Sequence, residues 1–240
     1  SGSAKTQRGF KINSFLNSLG YYSPSRVYGV FTFLLTIYLV IKKKESFLGF
    51  KPLTPLRLKV TIVDLGASFI KLAQVLATRS DFFDKEYLVE LKELHDSLPP
   101  MNEAEFEEVY NRAFDENSFK SFEKTPIASA SIGQVHVAYT HENEKVAVKL
   151  RRKNIYAQVM ADIKIINSFN AFFKPLFSRY AKNSIEAVVS EFSKMIKEEV
   201  SLTHELKNLL KFSSVYKDAG VKFPVPREAL CSDDALVMSY

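Results

Sequence analysis

Apolar residues recur along the 240-residue chain with two different periods, and the change of period separates two kinds of structure. Over 54–78, Ile62, Leu65, Phe69, Leu72 and Leu76 fall at alternating three- and four-residue steps. That places them on one stripe of a helix opened by Thr54-Pro55, with Lys71, Gln74 and Thr78 grouped on the far side. Over 126–152 the period drops to two. Val135 and Val137 alternate with His136 and Ala138, and beyond the polar turn 140–144 comes Val146-Ala147-Val148-Lys149-Leu150. This spacing predicts a hairpin within a run of three strands, the last of which delivers Lys149 onto an apolar face.

The remaining segments follow the same logic. An uncharged apolar run at 27–41 ends in Lys42-Lys43-Lys44; it is shorter than the about 20 residues of a membrane span, so it reads as a buried or interfacial helix. Helices are predicted over 85–95, over 103–114 with Asn102 as cap, over 161–177 and over 184–212. In the last of these Phe192, Met195, Ile196, Leu202, Leu206, Leu209 and Leu210 form one stripe. Glu199 lies at its centre and Glu205 at its edge, and an ionised glutamate at the centre needs a partner. Two further strands are predicted, over 221–231 and over 235–240, around the turn 232–234.

Val-Ala-Val-Lys at the end of a hairpin is the pattern of the third strand of protein kinases, whose lysine holds nucleotide phosphates and pairs with a helix glutamate. Taken alone, these four residues favour a strand whose lysine reaches out to solvent. Upstream, Ala128-Ser129-Ala130-Ser131-Ile132-Gly133-Gln134-Val135-His136 stands where a kinase carries several glycines. The chain thereby resembles the UbiB-like atypical kinases associated with ubiquinone biosynthesis, which have an alanine-rich loop at this place. Leu65-Gly66-Ala67-Ser68-Phe69-Ile70-Lys71-Leu72-Ala73-Gln74 is similar to the family's K-x-G-Q segment, continued by Thr78-Arg79-Ser80-Asp81 and closed by Leu98-Pro99-Pro100. The segment 199–208 looks like its E-x-D…E-x-x-N stretch. Ala73 replaces the motif glycine, Ala67 a proline, and Ser201 the motif aspartate.

The resemblance implies an α+β fold, a kinase-like N-lobe of antiparallel sheet plus glutamate helix, preceded by a helical extension and without a C-lobe. It implies ATP with Mg2+ as cofactors, Lys149 and Glu205 as an ion pair, and Ala128, Ser129, Ala130, Ser131, Ile132, Gly133 and Gln134 as the loop around the nucleotide. Lys71 and Gln74 are expected to point into the pocket, with Lys71 satisfying Glu199. The segments expected are a tail and apolar helix over 1–53, a helical extension over 54–120 and an N-lobe over 121–240 that ends at the hinge. Asp162 with Asn167, and Asp81-Phe82-Phe83, only imitate catalytic motifs, so the 240 residues alone are expected to be inactive.

Composition changes this picture little. The single Cys231 rules out a disulfide framework within the chain. The net charge of +6 is spread along the chain with no nucleic-acid motif, so nucleic acid is not an expected partner. The expected partners are a nucleotide, an anionic membrane surface or isoprenoid lipid, and ubiquinone-biosynthesis proteins, at the cytoplasmic face of a bacterial inner membrane or at a mitochondrial inner membrane. Two activities stay open: an ATPase or phosphoryl transferase, and a non-catalytic membrane adaptor that uses a kinase-like shell.

Overall fold

A computed structural model of the chain describes residues 22–95, 98–216 and 222–240; the readings of residues 1–3 and of Val221 lie outside them. The element order is α1 (Pro24–Ile41), α2 (Pro55–Leu65), α3 (Ala67–Leu76), α4 (Lys85–Lys92), α5 (Glu103–Ala113), β1 (Ser121–Phe122), β2 (Ala128–Ser129), β3 (Gly133–Tyr139), β4 (Lys145–Arg151), α6 (Ile155–Phe173), α7 (Arg179–Glu199), α8 (Leu202–Val215) and β5 (Ala235–Ser239). The chain divides into two compact units that interleave in sequence, the helical Ser1–His95 with Ala157–Ile196, and the sheet-bearing Asp96–Tyr156 with Lys197–Tyr240.

In the helical unit the predicted stripe is buried, with Ile62, Leu65, Phe69, Leu72 and Leu76 all at most 4% exposed. It does not lie on one helix. Gly66, at φ +83°, interrupts 54–78 and separates α2 from α3, a conformation that glycine alone adopts without a steric cost. The apolar run at 27–41 forms most of α1, whose Ser23 cap accepts a hydrogen bond from the Arg26 amide. Phe33 packs edge-on against Phe69, with ring centroids 5.3 Å apart, and Tyr38 lies 4.6 Å from Phe173 and 5.3 Å from Phe177. Of the two readings of this run, burial supports packing for the stretch from Val30 to Leu39; Val27, Tyr28 and Phe31 stay exposed.

A buried ion cluster ties the start of α1 to α6. The Arg26 guanidinium donates to both carboxylate oxygens of Asp162 at 3.0 Å and to the Leu65 carbonyl at 2.6 Å, and the Tyr22 hydroxyl donates to the same carboxylate. The Asp162 side chain is 1% exposed. Burial pushes its carboxyl above the usual carboxylate range against the pull of Arg26, and burial next to Asp162 likewise raises the Tyr22 phenol.

The sheet runs β1-β3-β4-β5, with β2 joining β1 on the same edge of β3, and every pairing is antiparallel. One face carries Ala138, Val146, Val148, Leu150, Ala235 and Val237 onto Phe106 and Val109 of α5, closing a core with Phe114 and Phe119. Asn102 caps α5 as predicted, in a reciprocal capping box with Glu105.

Besides the helix interrupted at Gly66, three predicted elements differ from what forms. The helix over 184–212 breaks at Val200 and Ser201 into α7 and α8. Met195, before the break, is 38% exposed at the edge of the stripe, and the half-buried Leu206, Leu209 and Leu210 belong to the other helix. The helix over 161–177 starts earlier, at Ile155, and gives way after Phe173 to a single 3-10 turn at Lys174–Leu176, where Pro175 removes a donor. Over the described residues 222–231 the predicted strand does not form. Glu228–Leu230 is a 3-10 turn, and Pro226 makes only an isolated bridge to Met238.

Candidate functional site

The register of β4 sets the site. Val146, Val148 and Leu150 face the core, so Ala147, Lys149 and Arg151 point the other way. The apolar surroundings of Lys149 therefore come from its cross-strand neighbours Val135 and Leu236, not from its own strand, and it shares its face with a second cation. The Lys149 ammonium donates to the Glu205 carboxylate at 2.7 Å, the geometry expected of the kinase-type pair, with side chains 21% and 40% exposed.

Glu205 can reach that lysine because of the break before α8. The Ser201 hydroxyl caps α8 by accepting from the His204 amide at 3.2 Å. Serine and aspartate are comparable N-caps, so the replacement of the motif aspartate keeps the helix start. Arg151 fixes the same elbow, donating to the Val200 carbonyl at 3.2 Å and to Asp234 at 3.0 Å. Arg112 of α5 grips the other side of Asp234 at 2.8 Å. Burial raises the Asp234 carboxyl pKa, but the two guanidiniums outweigh it and leave the group below the usual carboxylate range. The adjacent Asp233 accepts from the Thr203 hydroxyl in the first turn of α8.

The alanine-rich loop is held by Arg152. Its guanidinium donates to the Ala130 carbonyl and the Ser129 hydroxyl at 2.9 Å and to the Pro99 carbonyl at 2.6 Å, and burial lowers its pKa. The Ala130 amide bonds the Gly133 carbonyl at 2.8 Å and closes the turn. Ala128, Ser129 and Ala130 stay at least partly exposed, whereas the Ser131 and Ile132 side chains are buried and leave only their backbone for a ligand. Gly133 is required by proximity, since a Cβ there would lie 2.6 Å from the Leu150 carbonyl oxygen.

Gln134 is turned away from that face, contrary to its expected place around a nucleotide. It pairs with Leu150 on the core side, is 1% exposed, and accepts at Oε1 from the Met101 amide at 2.8 Å. Its Nε2 lies 2.9 Å from His136 Nε2, and His136 Nδ1 lies 2.9 Å from the Glu123 carbonyl. A carbonyl only accepts, so Nδ1 carries the proton and Nε2 accepts from Gln134, which fixes a neutral imidazole. Burial holds the His136 pKa below its ordinary value in agreement with this chain.

Lys71 and Gln74 sit half-buried, one turn apart on α3 in the helical unit; Glu199 ends α7, half-buried, in the sheet unit. Sequence reasoning missed Arg151, Arg152 and Asp234. The two arginines read as an ordinary solvated charge run, and most of their partners are backbone carbonyls, which carry no residue signature.

The phosphates of a nucleotide fit this donor set, because Lys149 is a partly exposed cation beside a loop of small side chains. Among the described residues no group of three or more His, Cys, Asp and Glu gathers to hold a metal, so no residue is assigned to magnesium.

Helices joined to a small antiparallel sheet, with a central-strand lysine paired to a helix glutamate, define the N-lobe of a kinase-like protein. The model of the ABC1 atypical kinase-like domain matches residues 93–240, and the chain belongs to that family. A probable protein kinase UbiB of Shewanella woodyi is 33% identical over 187 residues, 76% of this chain and 34% of its own length. The Arabidopsis thaliana chloroplastic protein ACTIVITY OF BC1 COMPLEX KINASE 1 is 32% identical over 218 residues, 88% of this chain and 31% of its own. An uncharacterised Clostridium pasteurianum protein is 33% identical over 192 residues, 77% of this chain and 36% of its own. The chain thus spans about a third of the length of these relatives. A Mycobacterium tuberculosis protein solved with erythromycin is 25% identical over 77% of this chain and 47% of its own, at a TM-score of 0.48, too low to add to the assignment.

Proposed function

We infer that this chain is the nucleotide-holding part of an atypical kinase-like ATPase, with Lys149 binding ATP phosphates and Glu205 holding the lysine in place. The carrying observation is the 2.7 Å pair with both ends partly exposed. An ammonium has three donors, Glu205 takes one, and the remainder can turn to phosphate oxygens. The loop Ala128, Ser129, Ala130 supplies backbone at close range, since methyl and hydroxymethyl side chains leave room for it. Arg152 keeps that loop in one conformation. Bound magnesium would neutralise phosphate charge.

The family resemblance supports a part for Lys71, Gln74 and Glu199 in the same chemistry, and a role of the whole protein in a ubiquinone or other isoprenoid-lipid pathway at a membrane. Phosphoryl transfer is mostly positioning and charge neutralisation, which suits a site of this kind. Titration of the full-length protein with a fluorescent ATP analogue tests the reading. Lys149→Ala is expected to weaken binding on the order of tenfold or more, with Glu205→Gln next and Lys71→Ala below it. Equal binding by wild type and Lys149→Ala would remove the lysine from the site, and no binding by wild type would favour the adaptor.

A further inference from the structure

The segment Lys42-Lys43-Lys44-Glu45-Ser46-Phe47-Leu48-Gly49-Phe50-Lys51 carries a tight turn that the nucleotide reading does not use. Phe47 and Phe50 exchange both backbone hydrogen bonds at 2.9 Å, and the two residues between them, Leu48 at φ +50° and Gly49 at φ +81°, have the left-handed signature of a type I′ turn. Asparagine or aspartate before the glycine suits such a turn best. This chain instead holds a leucine in a conformation that is unfavourable for it, with 93% of it in solvent, the most exposed large apolar residue described.

Around Leu48 the surface is apolar and basic. Phe47 and Phe50 are half-buried against the core of the helical unit and stiffen the base of the turn. The Phe50 ring meets Phe31 edge-on at 5.7 Å, and Phe31, one turn after the exposed Tyr28, continues the patch along α1. Leu56 and Val60 of α2, 62% and 54% exposed, line a groove with Tyr28. Lys43, Lys44 and Lys51 are exposed beside the tip; Glu45 is the one acidic residue within 42–51, and Asp64 lies in the groove. Lys42 is half-buried, its ammonium donating to the Leu176 carbonyl. An exposed apolar tip on a rigid base, rimmed by cations, is the arrangement of an interfacial anchor.

We propose that the Phe47–Phe50 turn is the part of this protein that enters an anionic membrane surface, with Leu48 inserted among the acyl chains and Lys43, Lys44 and Lys51 at the headgroups. The proposal deepens the reading of the protein as membrane-attached and moves the contact from the length of α1, whose second half is packed, to a turn of four residues. It does not depend on nucleotide binding.

Flotation of the full-length protein with vesicles of phosphatidylcholine, alone or mixed with phosphatidylglycerol, is the test. Wild type is expected to float with the mixed vesicles and not with the neutral ones. Leu48→Asn creates the favoured Asn-Gly turn, so it should keep or raise the melting temperature while weakening vesicle binding on the order of tenfold. Changing Lys43, Lys44 and Lys51 together to glutamine should weaken it on the order of 100-fold. Flotation of Leu48→Asn equal to wild type, or lost only on Tyr28→Glu, would overturn the turn as anchor and leave membrane attachment standing. A wild type that stays with neither vesicle overturns both, including the case in which a protein partner covers the patch. Nucleotide titration of Leu48→Asn is expected to match wild type, which separates failure here from failure at Lys149.

Discussion

Two carboxylate–cation pairs hold elements far apart in sequence, and they differ in what they leave available. Asp162 is 1% exposed and takes both Arg26 hydrogen bonds and the Tyr22 hydroxyl. Glu205 is 40% exposed and accepts from a lysine that is itself 21% exposed. The first arrangement is buried with both carboxylate oxygens engaged, so its contribution lies in fixing α1 on α6. The second is wet and partly open, so it adds little to stability but can exchange partners. Ion pairs mark a site by their remaining capacity, not by their strength.

The largest test of this contrast is Asp162→Ala. It leaves Arg26 buried without a carboxylate and is expected to cost about 3–5 kcal/mol in urea unfolding. Nucleotide affinity of the molecules that stay folded is expected to be unchanged. A loss below about 1 kcal/mol would place the cluster with the surface pairs.

Gly133→Ala comes next. The backbone carbonyl 2.6 Å from its Cβ cannot swing aside, so a loss of about 1–3 kcal/mol is expected, with loosened nucleotide binding because the loop shifts with its strand. Acid should act on the sheet unit through His136. Its folded pKa lies below the unfolded value, so the unfolded chain takes the proton first. Stability is complete above about pH 6.5 and falls below it, by at most about 1.4 kcal/mol per pH unit. Urea melts over that range on wild type and His136→Asn should show the slope only in the former.

Ser201→Ala should cost about 1 kcal/mol through loss of the α8 cap, and Ser201→Asp should restore it. Smallest in stability is Lys149→Ala, at less than about 1 kcal/mol, measured on the same protein whose nucleotide binding drops. A thermal loss as large as that of Asp162→Ala would erase the distinction between the two pairs.

How much of this was legible follows from the range of each cause. Period-two alternation is local, so β3, β4 and the polar turn at 140–144 were readable, as was the pairing of Lys149 with a glutamate from a later helix. The helix breaks were not. Gly66 sits in an unbroken three- and four-residue stripe, and its positive φ leaves no trace in that pattern. Ser201 carries a usable signal, a capping residue before Leu202, but the apolar stripe runs straight through it. Asp162 carries no local signal, because its spacing to Asn167 is accidental and its partner Arg26 lies 136 residues away. Gln134 reads as part of a ligand loop because the motif is contiguous. Strand alternation sends every second residue of that motif into the core.

The order of strands has a consequence for how the sheet assembles. β3 and β4 are joined by a turn of five residues (140–144), whereas β4 reaches β5 only across 83 residues (152–234), most of them in three helices. Closing a loop becomes entropically harder by about 0.6 kcal/mol per doubling of its length, so docking β5 carries roughly 2.4 kcal/mol more closure entropy than forming the hairpin. The hairpin is the fast, local event, and the fifth strand is a late arrival that waits for the helical insertion to fold. In pulse-labelled refolding, the amides of β3 and β4 should therefore become protected before those of Ala235–Ser239, and the lysine strand would spend part of its folding life as a sheet edge.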